Sequence, residues 1–314
     1  MKKLKAIRTV YAYYFPEVRQ IVDEITRKYP HSVYLKSIKP GLDNFHFPVI
    51  EKYIKFYKEY IPGLAEFNNR YVTNGSSEGI LHLLVDLKLH SQEPIYVLDG
   101  DYEGYEGYGN NLGLKIQKVK LEEAVQIPKG IFIISNPSAR NGNIIPNEVI
   151  NQIAVTGHKI ILDLTYLGMT KYYCFDVEHP NIMAIVVSLS KPFGLFYYRS
   201  GFVFSRQPMP TLQPNIWFKN ILSLLIIDRL LTKLRPDTLY KKYQPVQKHI
   251  IGQIKKDTGI KILPSDVFIL GNIRPEEMKQ LSVKRKEQMI VFKRGDFYRL
   301  CLTPYFLEKE KISL

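Results

Sequence analysis

The runs Ile131-Phe132-Ile133-Ile134 and Ile160-Ile161-Leu162 are apolar at every successive position. Side chains along a strand alternate between the two faces of a sheet. A strand with one wet face therefore alternates apolar with polar residues, whereas an unbroken apolar run fits a strand covered on both sides. The pattern predicts an α/β fold: a mostly parallel sheet sandwiched between helices. Strands are predicted at 71–73, 95–98, 130–135, 159–162, 184–188 and 200–204. In such sheets ligands bind beyond the carboxyl ends of the strands. The residues just after each strand are therefore the first candidates for chemistry.

Helical spacing of Val18, Ile21, Val22 and Ile25 predicts that residues 1–30 are largely helical. Residues 40–48 read as a loop and 49–60 as a helix with an aromatic face of Tyr53, Phe56, Tyr57 and Tyr60. An apolar helix is expected over 220–233, and another over 238–257 that carries Pro245 and ends before Gly259. Strand-like pieces at 261–263, 267–270, 289–292 and 298–302 predict a small α+β part. The expected division is a large domain of residues 45–234 and a small domain built from 1–44 and 235–314.

Two cysteines, Cys174 and Cys301, are too few for a disulfide scaffold and suit a reducing compartment. The basic start Met1-Lys2-Lys3-Leu4-Lys5 is followed by Arg8, Glu17 and Arg19 rather than by an apolar stretch, which argues against export. The greasiest segment, 221–227, falls far short of the ~20 residues of a membrane span. A cytoplasmic protein without a membrane segment is the expectation. Lys+Arg 44 against Asp+Glu 30 leaves a net charge of +14. That excess fits an anionic ligand or a basic solvated surface, and the lysines form no long run, which weakens a nucleic-acid reading.

Six segments at predicted strand ends carry reactive side chains. Gly75-Ser76-Ser77-Glu78-Gly79 lies between a strand and a helix, where free N–H groups and the helix dipole attract an anion. It reads equally as a capped helix start, or as a G-x-S-x-G elbow with Ser77 as a hydrolase nucleophile served by Asp163 and His179 or His249. Tyr102 offers a ring for stacking on a planar ligand. Asn136-Pro137-Ser138-Ala139-Arg140-Asn141-Gly142 is a turn. Asp163, at the end of a buried strand, needs a cation or a helix to cap. Ser188-Leu189-Ser190-Lys191 places a lysine where a neutral amine could attack a carbonyl, and Arg199 follows. Arg299, in a late strand, could grip a carboxylate or simply face solvent.

Taken in this order, the segments resemble the fold-type I pyridoxal 5′-phosphate (PLP) enzymes, most closely the class I/II aminotransferases of the histidinol-phosphate aminotransferase kind. The resemblance spans about residues 44–299. It is carried by Ser188-x-Ser190-Lys191-x-Phe193-Gly194, by Arg199 eight positions after the lysine, and by Asp163-x-x-Tyr166. It implies an aldimine between Lys191 and PLP, with Asp163 on the pyridinium nitrogen, Tyr166 on the ring's O3′ and Tyr102 against the ring face. Gly75, Ser76, Ser77, Glu78, Ser190 and Arg199 would surround the phosphate, the first four largely through main-chain groups. Ser188 and Asn136 would lie near the cofactor, and Arg299 would hold the substrate's α-carboxylate. The family also implies a homodimer with shared active sites, and an amino acid and a 2-oxo acid as substrates. The apolar helix 220–233 is a candidate for part of the dimer contact on its apolarity and not on the resemblance.

Three departures bear on the reaction. The turn that reads Asn-Pro-x-Asn-Pro-Thr-Gly in the family has Ala139 in place of the Asn that bonds O3′. The family's Tyr-Pro, whose Tyr reaches the partner's phosphate, is Phe47-Pro48 here, and phenylalanine cannot make that bond. The family's Asn-Glu-x-Pro segment is not recognisable within 31–45. Transamination is the expected reaction; a decarboxylase, lyase or oxidase on the same cofactor is the alternative.

Overall fold

The computed structural model describes residues 3–11, 13–28 and 42–311. The family segment sought within 31–45 lies mostly outside them. Seven strands form the main sheet: β1 (Asn69–Thr73), β2 (Ile95–Leu98), β3 (Ile116–Val119), β4 (Ile131–Ser135), β5 (Lys159–Asp163), β6 (Ile182–Ser188) and β7 (Gly201–Ser205). Their order is β1-β7-β6-β5-β4-β2-β3, with every pair parallel except those of β7, which runs against β1 and β6.

The unbroken apolar runs behave as their pattern requires. Phe132, Ile134, Ile160, Leu162, Ile185 and Val187 pack into one core, while Ile131, Ile133, Ile161, Ala184 and Val186 pack into another. Alternate residues of each strand thus enter opposite layers. On one side lie α1 (Pro16–Lys28), α2 (His46–Phe56) and α6 (Ile221–Lys233), and on the other α3 (Ser76–His90) and α4 (Glu103–Asn111). Asn220 caps α6 through the Ser223 N–H at 3.0 Å. The apolar face of α6 is buried within the subunit against α1 and α2, so this helix is spent on the core rather than left open for a partner.

A second sheet, all antiparallel, has the order β10-β11-β9-β8, from β8 (Leu263–Pro264), β9 (Leu270–Ile273), β10 (Lys293–Arg294) and β11 (Phe297–Cys301). Residues 3–11 run along the second sheet. Ile7 pairs with Cys301, and the Lys5 N–H donates to the Tyr305 hydroxyl at 2.9 Å.

Several local expectations are corrected. Residues 46–48 begin α2 rather than forming a loop, and Pro48 sits in its first turn, where a missing N–H costs nothing. Residues 289–292 are a helix end and a 3-10 turn, not a strand. Met289 and Phe292 are buried while Ile290 and Val291 face out, a spacing that a short apolar run does not distinguish from a strand. Within 267–270 only Leu270 is in a strand, because the Val267 and Phe268 N–H groups bond to Gly142 O and Met169 O, outside any ladder. At 261–263 only Leu263 is in a strand. β3 escaped notice because Ile-Gln-Lys-Val at a sheet edge buries only its last residue. Among the described residues no helix is long and apolar enough to cross a membrane.

Candidate active site

Register brings the reactive residues to one level. Ser135 pairs with Asp163, Asp163 with Val186, and Ser188 and Thr73 with Gly201. The carboxyl ends of β1, β2, β4, β5 and β6 therefore share one edge. β7 runs the other way, so its amino end brings Arg199 to the same edge. A pocket there is lined by Thr9, Val10, Ser76, Ser77, Tyr102, Glu103, Ser135, Ala139, Asp163, Thr165, Tyr166, Lys191, Arg294 and Arg299.

Lys191 is the cation at its centre. Its Nζ lies 5.1 Å from the ring centre of Tyr166 and 6.0 Å from that of Tyr102. Desolvation brings its pKa from 10.5 down to about 8, against the opposing pull of the Asp163 carboxylate. Asp163 is buried. Burial raises its pKa, while hydrogen bonds from Thr165 and Tyr105 and the charge of Lys191 act the other way. Burial also pushes the Tyr166 phenol up to about 12.

At the end of β1, Gly75 takes φ +94°, a conformation glycine adopts without strain. A Cβ there would sit 2.9 Å from the Arg199 Nη2 and push the guanidinium aside, but it is the positive φ that calls for glycine. Arg199 Nη1 donates to the Ser190 hydroxyl at 3.4 Å, and the Ser190 N–H donates to the Ser188 hydroxyl at 3.2 Å. Gly75, Ser188, Ser190 and Arg199 are thus linked to one another next to Ser76 and Ser77 without themselves lining the pocket. Ser76 and Ser77 open α3 with amide groups free of intrahelical partners. The result is an oxyanion cradle: a helix N-terminus, two hydroxyls and one guanidinium.

Two further expected cofactor contacts are placed elsewhere. The Glu78 carboxylate turns back to accept from the Asn74 N–H and side-chain amide, which leaves only its main chain for the cradle. The Asn136 amide exchanges two 2.9 Å hydrogen bonds with the Ile145 backbone, so it does not line the pocket. Asn141, whose Oδ1 accepts from the Asn143 N–H, does not line the pocket either. Neither supplies the donor that Ala139 lacks.

At the opposite wall, Arg299 donates to Ala139 O and, at 2.9 Å, to Arg8 O. Its Nε is buried with no protein acceptor. An orphaned buried donor on a pocket wall fits a carboxylate that arrives with the substrate. Arg294, unnoticed in the sequence, presents a second guanidinium with an orphaned Nε and an ion pair to Glu103 at 3.2 Å. Its signal was available: Gly295-Asp296 is a two-residue hairpin loop that sets Arg294 opposite Phe297. Tyr105, Thr165, Asp101 and Ser135 were also missed. Asp101 accepts from the Ser135 and Tyr102 N–H groups, and burial lifts its pKa to about 6.

Among the described residues no histidine lines the pocket that holds Ser77. Its nearest partner is the Tyr102 hydroxyl at 3.5 Å, the His179 Nδ1 accepts from the Asn181 N–H, and His249 lies on the outer helix Thr238–Thr258. The expected triad needs its histidine within hydrogen-bond reach of the serine, and neither His179 nor His249 lines this pocket.

The family described as "Aminotransferase class I and II" matches residues 44–300. A histidinol-phosphate aminotransferase of Clostridium novyi (strain NT) is 23% identical over 286 residues, 83% of this chain and 78% of that relative. The solved histidinol-phosphate aminotransferase of Sinorhizobium meliloti, in complex with pyridoxal-5′-phosphate, superposes with a TM-score of 0.67 at 16% identity, covering 96% of this chain and 87% of the other. L-threonine-O-3-phosphate decarboxylase of Porphyromonas gingivalis superposes with a TM-score of 0.62 at 13% identity, covering 96% and 99%.

Proposed function

This chain belongs to the class I and II aminotransferases, which are pyridoxal 5′-phosphate enzymes, and from that premise we propose that it transfers the amino group of an α-amino acid to a 2-oxo acid, with Lys191 as the residue that carries the cofactor. The observation that supports this most is the placement of Lys191 between the Tyr102 and Tyr166 rings, with its pKa brought down to about 8. At that value a usable fraction of the amine is neutral at physiological pH.

Groups in and next to the pocket would meet each charged point of the cofactor. Gly75, Ser76, Ser77 and Arg199 would hold the phosphate, and Tyr102 would lie against the ring. Asp163 would accept the pyridine N–H, and Tyr166 would donate to the phenolic oxygen. Bound there, PLP supplies an electron sink for the substrate's α-carbon. The chain supplies the rest. Lys191 Nζ takes and returns the α-proton, Arg299 grips the α-carboxylate through Nε, and residues 9 and 10 close the pocket over it. A carboxylate held by Arg299 stays on the substrate, which favours transamination over decarboxylation.

The same proposal includes a homodimer and a division into residues 45–234 and a small domain of 1–44 with 235–314. The two separate sheets support the division. An exposed aromatic band beside the site supports the dimer. Tyr197 is 90% and Phe218 75% exposed, with Phe47, Phe196 and Trp217 also open. Free Cys174 and Cys301 fit the reducing cytoplasm.

The test is to add PLP to the purified protein and record its visible absorption beside Lys191→Ala. A band that borohydride bleaches, absent from the variant, is expected, followed by a 2-oxo acid product from some amino acid in a panel. A folded protein with no band overturns the reading. Release of carbon dioxide instead of a 2-oxo acid would move it to decarboxylation.

A further inference from the structure

A carboxylate offers about four lone-pair positions on its two oxygens. On Asp163, Oδ1 accepts from the Thr165 N–H at 3.0 Å and from the Thr165 hydroxyl, while Oδ2 accepts from the Tyr105 hydroxyl at 2.8 Å. Among the described residues, then, Oδ1 is filled and Oδ2 keeps one open position. We propose that Tyr105 is a positioning residue for the reaction: it orients the Asp163 carboxylate and reserves the open lone pair of Oδ2 for the ring N–H of the cofactor. This rests on the reading of Asp163 as the partner of the pyridine nitrogen.

The surroundings suit the role. Tyr105 is fully buried, and its ring meets that of Tyr102 edge-on, 5.3 Å between centres at 88°. Its N–H bonds Tyr102 O at 3.1 Å, so one turn at the start of α4 places both the stacking ring and the donor to Asp163. Asp163 needs such donors. Burial raises its pKa, and the buried carboxylate of Asp101 is close enough for the two charges to oppose each other. The phenol is a permanent donor, because burial and the same two carboxylates push its own pKa well above 10. Thr165 works on the other oxygen and cannot substitute.

Tyr105→Phe removes one oxygen and keeps the ring. Losing a hydrogen bond to a charged acceptor predicts a roughly ten- to hundredfold fall in kcat, with the amino-acid KM changed less than about threefold. The affinity of the apoprotein for PLP, read by fluorescence titration, should weaken about tenfold. The acid limb of the kcat profile should move to higher pH, since a carboxylate stripped of a donor holds its proton more tightly. Thr165→Val keeps the Thr165 N–H on Oδ1 and the Tyr105 hydroxyl on Oδ2; it too should move the acid limb to higher pH, but should weaken PLP less than Tyr105→Phe does. The limb is read on the folded fraction, so partial instability of a variant leaves it measurable. Unchanged PLP affinity with an unmoved acid limb in Tyr105→Phe overturns the proposal. Asp163→Asn, run beside it, separates the two ideas. If that variant also binds PLP normally, the reading of Asp163 itself fails. If it weakens PLP while Tyr105→Phe does not, only the role of Tyr105 falls.

Discussion

Loading of the cofactor onto Lys191 should be fast near neutral pH, and its pH dependence carries the signature of the pocket. Only the neutral amine attacks a carbonyl. With a pKa of about 8, ~9% of Lys191 is neutral at pH 7, against ~0.03% for a lysine at 10.5, a roughly 300-fold enrichment. The assay is stopped-flow mixing of apoprotein with PLP between pH 6.5 and 10, following the visible band. The rate should climb about tenfold per pH unit at the acid end and level off above pH ~8. Asp163 opposes the shift, because its negative charge favours the ammonium form. Asp163→Asn should therefore move the plateau to lower pH, even as the loaded protein becomes less stable. A wild-type rate still rising without a break at pH 10 would refute the claim that burial tunes this lysine.

Gly75→Ala should weaken PLP binding at least tenfold, measured by equilibrium titration, because the new Cβ strains a φ of +94° and presses the Arg199 guanidinium aside. Arg299→Gln should raise the amino-acid KM about ten- to hundredfold in steady-state assays while the band of the bound cofactor stays unchanged, since the charge that would meet the substrate's carboxylate is lost together with the bonds to Ala139 O and Arg8 O.

Much of the fold was legible because its signals are local. The apolar runs at 131–134 and 160–162 told of burial on both faces, and the two opposite cores fed by alternate residues are that burial. The short run at 289–292 misled, because over four residues a helical and an extended placement bury the same residue types. Lys191, Asp163 and Arg299 were readable as candidates because each sits at or next to a strand, within a few residues of a turn signal. Glu78 and Asn136 were readable only as positions. Their side chains turn to Asn74 and Ile145, partners that motif spacing does not report.

The sequence by itself determined which segments become buried strands and which reactive residues follow them, since periodicity and turn chemistry act between neighbours along the chain. Tertiary structure alone decided what those residues can do together. The Tyr105 hydroxyl reaches Asp163 across 58 positions, and Arg299 reaches Ala139 across 160. Those encounters depend on strand order and on the docking of the second sheet over the strand ends, and no local pattern of residues specifies either.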